Sequence, residues 1–348
     1  MSPLGSPVET LGDDSLYIDV EIKYYLKGMA TLHIPARDIP VPSSVSPEAQ
    51  AILSMGPLTA TSEWPPLENT QEWRDLIALQ DETVMAALAG RAAAVQAEQV
   101  TRSIAGVTVY VVTPLAGDDD RIVLDLHGGA LILMGGRACA VMTLIAAGGT
   151  GLATWGIDYR MPPDHPYPGA LDDCVAVYRA LLDERDPSRI VVSGGSAGGN
   201  LAAALMVRAR DEGLALPAAV ILNTPEVDLT ESGDSFSTNL GVDTILSPLR
   251  VVNELYAAGH DLAHPYLSPL FADLTGFPPT LLTTGTRDLF LSNTVRMHRA
   301  LRRACVLAEL HVLEAAPHGG FLGAAPEDAE IASEIRRFID QWCPPNRS

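Results

Sequence analysis

The stretch that decides the fold reads Ile190-Val191-Val192-Ser193-Gly194-Gly195-Ser196-Ala197-Gly198-Gly199-Asn200. Its three aliphatic residues have the character of a short buried strand, and Asn200 to Arg210 that of a helix. Between them lies a Gly-x-Ser-x-Gly turn, the strand–turn–helix setting in which a serine is presented as a nucleophile. A residue on so sharp a turn takes a strained backbone conformation. Its neighbours must be small for strand and helix to approach, and Gly194, Ala197, Gly198 and Gly199 meet that need. Other glycine-rich loops are excluded: a dinucleotide Gly-x-Gly-x-x-Gly from Gly194 requires glycine at 196, and a phosphate loop requires Gly-Lys followed by Ser or Thr.

Outward from this stretch a strand–helix rhythm runs from about residue 100. Strand-like runs occur at Val107–Val112, Ile122–Leu126, Leu152–Ile157, Ile190–Val192, Val220–Leu222, Leu281–Thr284 and Ala308–Leu313. Most lack alternation, as strands covered on both faces do. Helix-like segments lie between several of them, at Ala138–Ala147, Ala170–Asp183, Leu201–Asp211, Leu289–Arg303 and Asp328–Trp342. The pattern predicts a mainly parallel sheet wrapped by helices. Earlier in the chain, Tyr17–Tyr25 and Met29–Ile34 read as a hairpin, Pro40–Pro66 as an extended arm or loop, and Gln71–Gln99 as a helix. Almost sixty residues separate the strand ending near Leu222 from that beginning near Leu281, with a helix expected at Pro248–Ala258. The expected organisation is an N-terminal extension and part of a cap at 1–70, a core at 71–229, a cap insertion at 230–265, and the rest of the core at 266–348.

Three further motifs sit at strand ends. His127-Gly128-Gly129-Ala130 can turn backbone N–H groups toward a developing oxyanion, with His127 fixing the loop by hydrogen bonds. Taken alone it is equally a glycine-rich turn with a satisfied histidine. Gly285-Thr286-Arg287-Asp288 and Pro317-His318-Gly319-Gly320-Phe321 complete the order Ser196, Asp288, His318. An imidazole that takes the serine proton and a carboxylate that orients it form the required relay. Glu226, just past the strand Val220–Leu222, has three readings: a carboxylate reaching the histidine from the neighbouring strand, a substrate contact, or a solvated side chain. His260 and His264 have the i, i+4 spacing of metal ligands on a helix. Pro265 follows them and no third ligand is evident, so they read as a surface pair.

Composition narrows the class. The 348 residues carry 23 Lys and Arg against 43 Asp and Glu, a formal charge of −20, with 47% apolar residues. That suits a sizeable core and excludes a nucleic-acid face, which needs clustered Lys and Arg. Cys139, Cys174, Cys305 and Cys343 form no Cys-x-x-Cys pair and read as reduced thiols of a cytoplasmic protein. No basic, then apolar, N-terminal run suggests a secretory signal. The uncharged stretch Ala138–Ile157 reaches membrane-spanning length but is broken by Gly148, Gly149 and Gly151, so no membrane insertion is expected.

With these residues in view, the chain resembles the hormone-sensitive lipase family of α/β-hydrolases, in its bacterial esterase branch. His127–Ala130 is similar to the family's His-Gly-Gly-Gly, Tyr159–Ala170 to its Tyr-Arg-x-Ala-Pro-Glu-His-Pro-Phe-Pro-Ala-Ala, and Gly194–Asn200 to its Gly-[Asp/Thr]-Ser-Ala-Gly-Gly-Asn. The segments Asp228–Ser235 and His311–Glu314 resemble those of monoterpene ε-lactone hydrolase-like members. The resemblance implies an eight-stranded, mostly parallel sheet with a cap. It implies Ser196 as nucleophile, His318 as base, Asp288 as acid, and oxyanion amides from Gly128, Gly129, the neighbouring Ala130 and Ala197. It further implies a cofactor-free and metal-free carboxylesterase for small to medium, mostly apolar esters. Short-chain esters, lactones and methyl esters of bulky or xenobiotic molecules such as herbicides belong to that group. Water is the second reactant, and a homodimer is common in the family. The alternative on this fold is a non-catalytic small-molecule receptor; such receptors lose the histidine that His318 supplies here. Two departures stand out. Ala130 replaces the third glycine of the oxyanion loop, and Gly195 replaces the usual Asp or Thr beside the nucleophile.

Overall fold

The computed structural model describes Leu32 and residues 34–56, 64–115 and 120–346. Two compact units divide the chain at Pro40, and every element below belongs to the unit Val41–Ser348. The hairpin expected over residues 17–34 falls almost wholly outside the described residues.

Eight strands form one sheet: β1 (Ala97–Ile104), β2 (Val107–Pro114), β3 (Ile122–Leu126), β4 (Ala153–Asp158), β5 (Ile190–Gly195), β6 (Ala219–Asn223), β7 (Thr280–Gly285) and β8 (Ala308–Leu313). Their spatial order is β1-β2-β4-β3-β5-β6-β7-β8. From β4 to β8 every pair is parallel, with β1–β2 and β2–β4 antiparallel. The absence of alternation in the central runs has the expected cause. Val192 and Leu222 pack into one apolar layer with Leu201 and Leu205, while Val191, Ile221 and Leu281 pack on the opposite face with Phe338 and Ile339.

The flanking helices are α1 (Pro47–Ser54), α2 (Thr70–Ala93), α3 (Arg137–Thr150), α4 (Gly169–Glu184), α5 (Ala197–Asp211), α6 (Ser235–Thr238), α7 (Arg250–Ala257), α8 (Leu291–Arg303) and α9 (Pro326–Trp342). Among the described residues no helix is long and apolar enough to cross a membrane. The segment from Arg137 to Asp158 is a helix, a left-handed turn at Gly151 and a strand.

Two early readings are corrected. The Pro- and Ser-rich segment 40–66 is not all arm or loop, because it contains α1. Ser46 caps that helix by accepting the Ala49 N–H at 3.1 Å, and Pro47 opens it. Composition suggested a breaker, whereas Ser-Pro is also a helix start. Val45, Ala49 and Leu53 then bury against Ala315, Ala316, Phe321 and Ala325. The helix expected over 71–99 ends at Ala93, and Ala97 starts β1. Polar residues hid this edge strand. It is placed by a tight hairpin turn at Ala105 and Gly106, both with positive φ, a geometry matched to strand twist.

Candidate active site

The site is built on the carboxyl ends of β3, β5, β6, β7 and β8, where an open parallel sheet presents its loops. At the end of β5, Ser196 has φ 56° and ψ −120°, and α5 begins at the next residue. That left-handed conformation is costly for a side-chain-bearing residue and is held from both sides. Ser196 N–H donates to the Asn223 carbonyl at 2.8 Å, and its own carbonyl accepts from Glu226 and Asn200, each at 3.1 Å.

The small neighbours are a steric requirement. A Cβ on Gly198 would lie 1.9 Å from the Leu126 carbonyl oxygen, and one on Gly194 would lie 2.2 Å from the Gly198 oxygen. Both obstacles are backbone and cannot rotate away. Gly198→Ala is expected to cost about 3 kcal/mol, at the upper end for overpacking, by forcing α5 off β3. A thermal melt checks it, and an unchanged Tm would refute the steric account.

Ser196, Asp288 and His318 converge. His318 Nε2 lies 2.9 Å from Ser196 Oγ, and His318 Nδ1 lies 3.0 Å from Asp288 Oδ1. A carboxylate only accepts, so Nδ1 carries the proton and Nε2 is free to accept from the serine hydroxyl. Asp288 is fully buried. Its Oδ1 also accepts from the Phe290 N–H at 2.8 Å, and its Oδ2 from Thr284 Oγ1 at 2.7 Å. The Phe290 ring meets the imidazole edge-on, with centroids 4.9 Å apart. Burial works to lower the pKa of His318. The charge and hydrogen bond of Asp288, with the charge of Asp243, outweigh burial and raise it above the ordinary value.

The loop after β3 faces the serine. A Cβ on Gly128 would lie 3.5 Å from Ser196 Cβ, so the backbone passes directly over the nucleophile. Among the described residues, the N–H groups of Gly128, Gly129 and Ala197 donate to no partner. The Gly129 carbonyl is held by the following turn of the loop, accepting from the Ile132 and Leu133 N–H groups. His127 Nδ1 binds the Gly128 carbonyl at 2.7 Å, and its ring stacks on Tyr159 at 4.1 Å. Tyr159 Oη donates to the His127 carbonyl at 2.7 Å. Burial pushes His127 down to about 4, so it is neutral scaffolding. Ala130 has φ 52°, and its methyl packs beside an apolar cluster of Trp73, Ile132, Phe236, Leu249, Val252, Leu289 and Phe290. Phe290 brings this cluster up to the imidazole.

Glu226 is fully buried, and neither carboxyl oxygen has a hydrogen-bond partner. Its main chain is clamped at the turn, its carbonyl accepting from Asn200 Nδ2 at 2.7 Å. Burial pushes its carboxyl up to about 8; Asn253 and His318 offset part of that push, and Glu231 and Asp228 add to it. Of the three sequence readings, the solvated side chain is therefore ruled out. It is Asp288, and not Glu226, that lies within hydrogen-bond distance of the imidazole. His260 and His264 lie beyond the end of α7, off any helix. Their rings pack near Tyr167, at 5.0 and 6.3 Å. Elsewhere, ligand atoms of His127, Cys139 and Asp158 come within 4.8 Å of one another. Each is engaged by the fold, His127 against Tyr159 and Asp158 on the Gly136 N–H at 2.8 Å, with the Cys139 thiol buried.

Sequence reasoning missed a set of polar residues that surround the acid loop: Thr284 on β7, and Ser235, Asn239 and Asp243 on the insertion. An aspartate or asparagine in a glycine-containing loop carries no signal that separates it from an ordinary turn residue.

Strand order, elbow and the three converging side chains define the class as an α/β-hydrolase. Comparison with known proteins agrees. The family model described as alpha/beta hydrolase fold matches residues 123–322. An acetyl-hydrolase of Streptomyces hygroscopicus is 37% identical over 196 residues, covering 56% of this chain and 64% of that protein. An esterase of Acinetobacter venetianus is 34% identical over 195 residues, covering 53% and 63%. The matched segment thus spans less than two thirds of either relative. Among solved structures, esterase E25 superposes with a TM-score of 0.84 at 36% identity, covering 90% of this chain and 99% of that one. An esterase of the bacterial hormone-sensitive lipase family superposes at 0.72 and 28% identity, covering 86% and 99%. The chain belongs to the α/β-hydrolase fold family, in its bacterial hormone-sensitive lipase-like branch.

Proposed function

We propose that the protein is a serine carboxylesterase that works through an acyl-enzyme. The observation that carries this reading is the unbroken relay Ser196 Oγ, His318, Asp288 at 2.9 and 3.0 Å. Ser196 attacks the ester carbonyl as its proton passes to His318 Nε2, and Asp288 steadies the imidazolium. The carbonyl oxygen becomes an oxyanion facing the free N–H groups of Gly128, Gly129 and Ala197. Donors fixed in place before reaction stabilise such charge without reorganisation. The intermediate collapses, the alcohol leaves with the proton from His318, and Ser196 is left acylated. Water then attacks the acyl carbon, giving its proton to His318. A second collapse frees the acid, and the proton returns to Ser196.

No step needs a cofactor or metal. The apolar cluster from Trp73 to Phe290 favours small, apolar acyl or alcohol groups, in keeping with short-chain esters, lactones and methyl esters of bulky molecules. The named activities of the relatives, esterase and acetyl-hydrolase, support the same class. A cytoplasmic location and a homodimer remain part of this reading.

The test is covalent. A p-nitrophenyl alkylphosphonate is expected to release one equivalent of nitrophenol, leave a single adduct on Ser196 by peptide mass mapping, and abolish hydrolysis of p-nitrophenyl butyrate. Tight binding of small molecules with no serine-dependent turnover would instead favour the receptor reading.

A further inference from the structure

The insertion between β6 and β7 grips the acid loop by its backbone. Ser235 Oγ donates to the Leu289 carbonyl at 2.7 Å and accepts from the Ser292 N–H at 2.9 Å. One turn on, Asn239 Nδ2 donates to the carbonyls of Asp288 at 2.8 Å and Thr286 at 3.3 Å. Asp243 follows, at the same four-residue spacing. Its carboxylate accepts from the Leu289 N–H at 2.7 Å and, on the other side, from the His318 N–H at 3.3 and 3.4 Å. It also accepts from the Ile245 and Leu246 N–H groups of its own loop, at 2.9 and 3.1 Å. All three side chains are buried. Of the three, Asp243 alone joins the acid loop to the histidine loop. A lone buried carboxylate is expensive, and four backbone donors converging on one identify it as a built feature.

We propose that Asp243 is a positioning residue: it locks the loops of Asp288 and His318 in register, and its negative charge beside His318 sustains the imidazolium formed in the transition state. The inference rests on the proposed esterase reading. Burial raises the Asp243 carboxyl above its ordinary value, against the pull of the charge and the backbone donors around it. His318 favours ionisation, as do the N–H groups of Ile245 and Leu289, while burial first and the Asp288 charge last oppose it.

Asp243→Asn keeps the shape, removes the charge and sets an amide N–H₂ against a backbone donor. The measurement is kcat, KM and the pH profile of kcat/KM on p-nitrophenyl butyrate, with Tm alongside. The expected result is a 10- to 100-fold fall in kcat with KM within twofold. The acid limb is expected to move to lower pH, because loss of a nearby anion lowers the pKa of an imidazole. Asn239→Ala loosens the same loop without touching charge, so it is expected to lower kcat and leave the limb in place. A merely structural role would not separate the two variants. An acid limb unmoved in Asp243→Asn, or kcat within twofold of wild type, overturns the proposal. Should that variant not fold, Asp243→Glu keeps the charge but misplaces it. Lowered kcat with a wild-type limb then supports the proposal, and wild-type kcat overturns it. Wild-type protein that cleaves no ester and takes no phosphonate overturns the esterase reading and this inference together.

Discussion

Ser196→Ala is expected to lower kcat on short p-nitrophenyl esters by about a million-fold, the scale seen when a serine hydrolase loses its nucleophile. The substitution removes one oxygen and leaves the Cβ, so the elbow, whose shape depends on Gly194 and Gly198, is kept. His318→Ala is expected to cost as much, since without a base at 2.9 Å the hydroxyl is a weak nucleophile. The double variant is expected to be no worse than either single one, because the residues act as a unit. What survives is rate acceleration from the oxyanion donors and binding alone, roughly a thousand- to ten-thousand-fold over water. Burst titration with the phosphonate counts competent sites and removes the ambiguity of trace contamination. If Ser196→Ala retained a tenth of wild-type kcat, or if the two losses multiplied, the reacting group would not be this pair.

Much of this site was legible in the sequence because its requirements are local. A serine at φ 56° needs small residues at 194 and 198, and the chain writes them within five positions. Strands buried on both faces show as aliphatic runs, and the loop bearing Asp288 follows such a run directly. The eighth strand was hidden because β1 lies at the sheet edge, where Glu98, Gln99 and Thr101 face water; exposed strands lose the apolar signature. The helix α1 was hidden because proline and serine serve both turns and helix starts. Asp243 was hidden for another reason. Its partners lie 46 and 75 residues away, and convergence over that distance belongs to the packing of the insertion, not to any local pattern. Glu226 shows the same limit: a glutamate beyond a strand leaves acid, substrate contact and solvated side chain all open until its burial is seen.

Asp288→Asn and Glu226→Gln form the second test, because these two buried carboxyls differ in how they meet His318. Asp288 accepts the Nδ1 proton at 3.0 Å. An asparagine there can present its amide N–H₂ and reverse the tautomer, which in a related relay costs about ten-thousand-fold in kcat; that loss is expected here. Glu226 makes no hydrogen bond to the ring, so Glu226→Gln is expected to lower kcat less than tenfold. Its larger effect falls on stability. Burial raises the Glu226 carboxyl from 4.5 to about 8, so the folded state holds a proton that the unfolded chain releases above pH 4.5. Stability from that proton is complete below pH 4.5, falls at about 1.4 kcal/mol per pH unit, and is gone above about pH 8. Glutamine has no proton to lose. The Tm difference between Glu226→Gln and wild type is therefore expected to be smallest near pH 4 and to grow in the variant's favour up to pH 8. A larger kcat loss in Glu226→Gln than in Asp288→Asn would transfer the acid's role to the end of β6. A Tm difference flat across that pH range would mean Glu226 does not hold its proton.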